Sequence, residues 1–334
     1  MFGFGKRIAL SCFLCACGTD ANDTQGMLDA TVVADAGLES EVTVLEQFDV
    51  GSFNEDLIEG VPTADLAFYL SDGGPLAWDE LAGNITRAKR IFGEVGVQLR
   101  VRSALHIQIP ADWQQIDPAI IDLPSTPPEL RETDLYRHLE ELRARPSARA
   151  IAIFEAIVAH LPEDPLSIPA SNTIHLMSFN EVPIPFYEWN GAEWIYNSVP
   201  TGGLSLPPYT YADRMPEGIR GAITLSFEVD RFRPDTRVLA HELGHKLINV
   251  SHEGGSVCPS FEANGPELML YGNGEIIPAG EAGRWHQERL ALSPFLYRVE
   301  AGQAVFANQF LDGGIYRDRL YEALYIDPPC SAAP

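Results

Sequence analysis

The stretch that decides the fold spans residues 237–252 and reads Arg-Val-Leu-Ala-His-Glu-Leu-Gly-His-Lys-Leu-Ile-Asn-Val-Ser-His. His241 and His245 are four residues apart, which places both imidazoles on one face of a helix. Two imidazoles in this arrangement can hold one zinc ion, and Glu242 lies beside them. A helix is also indicated by apolar residues at helical spacing, namely Val238, Leu239, Leu243 and Leu247.

This motif predicts metal-assisted hydrolysis with Zn²⁺ as the cofactor. Zinc lowers the pKa of a bound water to about 7, and the carboxylate of Glu242 can take its proton as general base. The resulting hydroxide would attack a carbonyl group that the metal polarises. A catalytic zinc ion needs a third protein ligand and an open fourth position. The residues available for this third position are His252, which is preferred, and Glu253, Glu262 and Glu267.

The stretch resembles the long zinc motif of the metzincin endopeptidases, H-E-x-x-H-x-x-G-x-x-H. It departs by one residue, because His252 follows His245 by seven positions rather than six. Asn249 stands three residues before His252, where the family has the glycine that ends the helix. Asparagine tolerates a left-handed backbone, so we expect a helix one residue longer that ends at Asn249. The resemblance implies that His241, His245 and His252 bind zinc and that the activity is peptide hydrolysis. A downstream glutamate as third ligand would make the site thermolysin-like instead.

A methionine turn beneath the zinc ligands is the second feature of that family. Residues 267–272 read Glu-Leu-Met-Leu-Tyr-Gly and are similar to it. The resemblance implies that Met269 is the structural residue of the turn. It also implies that Tyr271, two residues later, supports the oxyanion, as in the astacin and serralysin branches. The alternatives are ordinary core packing for Met269 and a partly buried side chain for Tyr271.

The rest of the chain predicts an α+β fold. A strand, a long helix and a second strand begin a mixed layer, and two more strands follow before the motif. The predicted ranges are 64–70, 78–95, 97–101, 173–179 and 221–227. This order is similar to a metzincin catalytic domain over residues 62–298. The resemblance implies a mixed, mostly parallel N-terminal sheet with an antiparallel edge strand, packed on the active-site helix, and a small C-terminal subdomain ending in a helix. We expect a peptide substrate to extend the sheet along an edge strand, with 221–227 as the candidate.

The N-terminus predicts an exported lipoprotein of a bacterial cell envelope. Lys6 and Arg7 precede an apolar run at residues 8–16 that is too short to span a bilayer. The Leu-Cys-Ala-Cys sequence ending at Cys17 resembles a lipobox, which implies a signal peptide over residues 1–16 and a lipid on Cys17. Membrane contact would then occur only through this anchor. Ordinary signal-peptide cleavage is the alternative.

The net charge of the chain limits the classes of partner that it is expected to bind. Asp and Glu number 47 against 23 Lys and Arg, a net charge of -24, which excludes nucleic acid as an expected partner. We expect a monomer that acts on a peptide or protein substrate. The predicted divisions are a flexible acidic tether over 17–60, the zinc peptidase domain over 61–300 and a C-terminal extension over 301–334.

Two predictions about the site retain alternatives. Cys258 and Cys330 remain after removal of the signal peptide, and in an oxidising compartment they could form a disulfide. Contact between Cys258 and the metal is the alternative. The irregular spacing after His245 also permits a lipid-anchored surface binding protein with a vestigial or structural zinc site. The presence of Glu242 argues against that function, because a structural site needs no base.

Overall fold

The computed structural model describes residues 41–72, 78–120, 145–205, 215–226, 237–250, 265–270 and 274–307. The described chain alternates strands and helices, as the apolar periodicity predicts. In chain order the elements are β1 (Thr43–Gln47), β2 (Thr63–Ser71), α1 (Trp78–Gly93), β3 (Gln98–Gln108), β4 (Ala119–Ile120), β5 (Arg145–Pro146), α2 (Ala148–Val158), β6 (Thr173–Phe179), β7 (Pro183–Trp189), β8 (Trp194–Pro200), β9 (Gly203–Leu204), β10 (Ala222–Ser226), α3 (Val238–Leu247), α4 (Arg284–Leu292), β11 (Leu296–Glu300) and β12 (Gln303–Phe306).

A mixed, mostly parallel sheet organises the fold, in agreement with the predicted α+β class. Its strand order is β1-β3-β2-β6-β10-β9. The four inner strands run parallel, whereas β1 and β9 pair antiparallel at the two edges. Strand β11 pairs antiparallel with the first residues of β2 and continues into β12.

The strand predicted to lie at the sheet edge is an inner strand. Strand β10, within the predicted range 221–227, has β6 on one side and β9 on the other. The backbone groups of β10 are therefore already paired along part of its length, because Gly203 and Leu204 turn back onto it. Among the described strands, β9 is the last one on this side of the sheet.

Two apolar layers cover the sheet. Successive residues of β2 point to opposite faces, and all of them are buried. Leu66 and Phe68 contribute to the layer shared with α1, α3 and α4, whereas Ala67 and Tyr69 contribute to the layer shared with α2. Burial on both faces explains why β2 and β6 are almost continuously apolar in sequence. Within the described ranges, no helix has the length and apolar character needed to cross a bilayer.

The predicted domain boundaries need correction at both ends. Residues 43–47, predicted to belong to the tether, form β1 and pair with β3, and Phe48 stacks on Trp78 with ring centroids 5.2 Å apart. The boundary predicted at residue 300 divides the β11–β12 hairpin. Helix α4 is not the last element of the described chain. Strand β11 follows it, and Leu296 and Tyr297 return to the sheet beside Ala64 and Thr63.

A second hairpin, β7–β8, has Asn190-Gly191 in its loop. The loop is longer than the two-residue type I′ turn that Asn-Gly favours, because Trp189 pairs with Trp194 across residues 190–193. The Asn190 side-chain oxygen accepts hydrogen bonds from the backbone of Ala192 and Glu193, at 2.8 and 2.9 Å. Those two bonds hold the longer loop.

Candidate metal centre

Helix α3 presents the motif. Its apolar stripe of Leu239, Leu243 and Leu247 is fully buried in the core, which fixes the opposite face and its two histidines. The rings of His241 and His245 have centroids 4.8 Å apart and lie nearly perpendicular, at 84°. Two imidazoles on one tetrahedral zinc ion would have centroids about 5 Å apart, given Zn–N bonds of about 2 Å. The ring separation therefore fits a shared metal ion.

Each imidazole is oriented by a backbone carbonyl. The Nδ1 atom of His241 lies 2.7 Å from the carbonyl oxygen of Leu268, and the Nδ1 atom of His245 lies 2.7 Å from that of Val250. A carbonyl oxygen only accepts hydrogen bonds, so each of these contacts is a hydrogen bond when Nδ1 carries the hydrogen. In a neutral imidazole the lone pair then resides on Nε2, the tautomer that a metal ligand needs.

Burial keeps both rings neutral. It lowers the pKa of His241 well below the usual value, and the neighbouring charges of His245 and Arg237 lower it further. Burial also lowers the pKa of His245 to about 4, helped by the charges of Lys246 and Arg237. Both side chains can therefore act as metal ligands over the physiological pH range without losing a proton first.

Glu242 is a buried carboxylate beside these rings, with an exposed fraction of 6%. Burial raises its pKa to about 8, whereas the charges of Arg237 and Lys246 and a backbone hydrogen bond from Ser205 act in the opposite direction. Within the described residues its Oε2 atom has no hydrogen-bond partner. A buried carboxylate oxygen of this kind suits a group that exchanges a proton with a ligand.

Strand β9 lies directly against this carboxylate. A Cβ atom added at Gly203 would be 2.9 Å from Cγ of Glu242 and 3.0 Å from its Oε1. Only glycine permits this approach. The edge strand and the candidate general base are therefore in contact.

Met269 packs against helix α3, beside Gly244. It is buried, and a Cβ atom added at Gly244 would overlap its sulfur. The absence of a side chain at Gly244, between the two histidines, is what lets Met269 approach the helix. Core packing and the role of a methionine turn both require this position.

The end of α3 agrees with the prediction for Asn249. This residue has φ 53°, in the left-handed region, and is fully buried. The chain reverses there, so that Val250 can place its carbonyl oxygen on His245. The left-handed asparagine thus ends the helix in the way that a C-terminal glycine commonly does.

No protein-family model and no curated protein matches this chain. Function therefore has to be inferred from the chemistry of its own side chains.

Several predicted site residues lie outside the described residues: His252, Glu253, Glu262, Tyr271, Cys17, Cys258 and Cys330. Glu267 is described and partly buried. Within the described ranges no three His, Cys, Asp or Glu side chains form a metal-binding group.

Three residues near the motif were not predicted to contribute to the site. Arg237 lies one helical turn before His241, and this spacing alone could have indicated its contribution. Lys246 is fully buried, donates a hydrogen bond of 3.1 Å to the carbonyl of Arg220, and has its pKa lowered by burial to about 7. Gly203 carries no motif that could have indicated its contact with Glu242.

Proposed function

We propose that this chain is a zinc-dependent endopeptidase. The observation that supports it most is the matched orientation of the two imidazoles: each donates from Nδ1 to a carbonyl, and the buried Glu242 lies between them on the helix. A surface helix with two solvated histidines would not need this arrangement.

The donor set fits zinc. His241 and His245 would hold the ion through Nε2, and the spacing favours His252 as the third ligand. Bound zinc polarises a carbonyl group and lowers the pKa of a coordinated water.

Glu242 would act as the general base and then as the general acid. Its Oε2 atom accepts a proton from the attacking water and returns it to the leaving amine. The charges of Arg237 and Lys246 favour the ionised carboxylate against its burial. Tyr271 would donate a hydrogen bond to the oxyanion, as the family resemblance implies.

A peptide substrate would pair with β9 rather than β10, because β9 is the edge strand among the strands that the structure describes. Since Gly203 of β9 lies against Glu242, a peptide along this edge would pass close to the base. We further propose that the protein is exported, is anchored through lipid on Cys17, acts as a monomer, and joins Cys258 to Cys330.

The test compares Glu242→Gln with the wild type. The variant should keep zinc and lose peptide cleavage by roughly 100- to 10,000-fold, because only the proton carrier is removed. Zinc content is measured by mass spectrometry and cleavage with an unfolded protein substrate. Glu155→Gln, an exposed position on α2, is the matched control and should stay active. A fully active Glu242→Gln, or a wild-type protein without zinc, would disprove the proposal.

The irregular spacing after His245 favours one alternative, a surface binding protein with a structural zinc ion. X-ray absorption of the zinc protein distinguishes the two functions. Three protein ligands and one oxygen from solvent support the peptidase, and four protein ligands support the alternative. Zinc content of His252→Ala and Glu262→Ala then identifies the third ligand.

A further inference from the structure

The carbonyl groups that orient the two imidazoles belong to segments that are themselves held by arginines. His241 donates to Leu268, in the segment containing Met269. His245 donates to Val250, immediately after the end of α3. Neither segment is a strand or a helix, so its carbonyl positions are not fixed by secondary structure.

Arg237 holds the first segment. Its guanidinium donates from Nη1 to the carbonyl of Leu268 and from Nη2 to that of Leu270, the latter at 2.8 Å. The oxygen of Leu268 thus accepts both from Arg237 and from Nδ1 of His241, using its two lone pairs. The guanidinium is also close to the ring itself, with Nη1 lying 3.0 Å from Nδ1 of His241.

Arg289 of α4 holds the second segment. It is fully buried and donates from Nε to the carbonyl of Ile248 at 2.8 Å and from Nη2 to that of Asn249. The guanidinium carbon also lies 4.9 Å from the ring centroid of Trp285, which restricts its movement. The next carbonyl along the chain, that of Val250, is the acceptor for His245.

We propose that Arg237 and Arg289 are positioning residues of the metal centre. Arg237 holds the carbonyl of Leu268, which accepts from His241, and Arg289 holds the two carbonyls that precede the one accepting from His245. The inference rests on the proposed zinc site. Groups that hydrogen-bond to a ligating histidine raise metal affinity because they orient the ring and hold its tautomer. Arginine suits this role because its planar guanidinium donates in two fixed directions, whereas a lysine ammonium acts as a point donor.

The experiment uses Arg237→Lys and Arg289→Lys in the full chain. Lysine keeps the positive charge near the site, so a change in zinc affinity reports the lost second hydrogen bond rather than lost charge. Arg102→Lys is the matched control. Arg102 also donates to two carbonyls, those of Ile168 and Pro162, at 2.7 and 2.8 Å, but away from the histidines.

Zinc affinity is measured by competition with a chromophoric chelator, and the thermal stability of the metal-free proteins is measured in parallel. The two test variants should bind zinc roughly 10- to 100-fold more weakly than the wild type. Arg102→Lys should lower metal-free stability but leave zinc affinity unchanged. The cobalt-substituted test variants should also show an altered visible spectrum, which a purely structural role would not produce.

The inference is overturned if both test variants bind zinc as tightly as Arg102→Lys does. If Arg289→Lys does not fold, Arg237→Lys decides alone, because Arg237 is only partly buried and its replacement disturbs less of the core. A wild-type protein that binds no zinc would instead disprove the proposed function.

Discussion

His175 shows most clearly how burial controls protonation in this protein. It is fully buried on β6, its Nε2 lies 3.0 Å from the carbonyl of Ala170, and its Nδ1 lies 3.3 Å from the hydroxyl of Tyr69. Burial lowers its pKa from 6.5 to about 4, and the charges of Arg102 and Lys246 act in the same direction. The folded protein therefore holds this ring neutral at pH values where the unfolded chain would protonate it.

The lowered pKa of His175 determines how the stability of the protein changes with pH. Because the folded-state pKa of His175 is lower, its contribution to stability is present above pH 6.5 and is lost as the pH falls to about 4. His175→Gln removes this contribution, so its free energy of unfolding should fall less steeply over that range, by up to about 1.4 kcal/mol per pH unit. Urea unfolding of metal-free protein at several pH values measures the slope. Equal slopes for variant and wild type would contradict the assignment.

Gly244 and Met269 should show strong energetic coupling. Alanine is favoured over glycine inside a helix by about 1 kcal/mol. Gly244→Ala should nevertheless destabilise the protein, because the new methyl group overlaps the sulfur of Met269. In a Met269→Ala background the same substitution should be neutral or stabilising. A double-mutant cycle by chemical denaturation measures this change of sign, and simple additivity would rule out the contact.

At the level of elements, the end of α3 depends on backbone conformation. Asn249 has a φ of 53°, which glycine adopts freely and alanine does not. Asn249→Gly should therefore be tolerated, whereas Asn249→Ala should cost about 1–2 kcal/mol of stability and weaken zinc binding, since Val250 then loses its position on His245. Denaturant unfolding and zinc titration of both variants test this. If alanine is tolerated as well as glycine, the backbone there is not strained.

The elements that could be predicted from the sequence are those with a local signal. Strand β6 was predicted with its observed bounds, α3 follows from its apolar stripe, and the left-handed Asn249 follows from residue type. Strand β9 was missed because two residues carry no periodicity, and its partner β10 was therefore taken as an edge. Strand β1 was assigned to the tether because its sequence shows no clear apolar period. Its side chains are exposed, and it pairs with β3.

The residues of the candidate site also differ in whether a local sequence signal indicates them. His241, Glu242 and His245 are close in sequence, so one helix turn brings them together. Arg289 contributes from 40 residues away, and no pattern in the sequence indicates that contact. This contact forms only in the folded protein, because α4 meets the end of α3 only when both helices have packed on the sheet.

For the whole molecule, the contact between Asp65 and Tyr297 joins the two ends of the described fold. Asp65 is fully buried on β2, and Arg100 donates to it from Nε at 2.8 Å. The hydroxyl of Tyr297 on β11 donates to the same carboxylate at 2.6 Å. Burial raises the pKa of Asp65, and the two donors act against it.

Tyr297→Phe should therefore destabilise the protein by about 1–3 kcal/mol, because it leaves a buried acceptor without one of its donors. Tyr196→Phe is the control, at an exposed position, and should change stability by less than about 0.5 kcal/mol. Thermal and urea unfolding measure both. Equal stability of the two variants would show that the Asp65 contact contributes nothing.

The same contact determines when this protein can fold. Asp65 and Tyr297 are separated by 232 positions, and β2 obtains its last antiparallel neighbour only from β11. Ribosomes synthesise the N-terminal strands first, so Thr63 and Ala64 at the start of β2 lack their β11 neighbour until the last strands emerge. Such non-local pairing slows folding, and a chain that stops before residue 296 retains an incomplete sheet with a buried acid short of a partner.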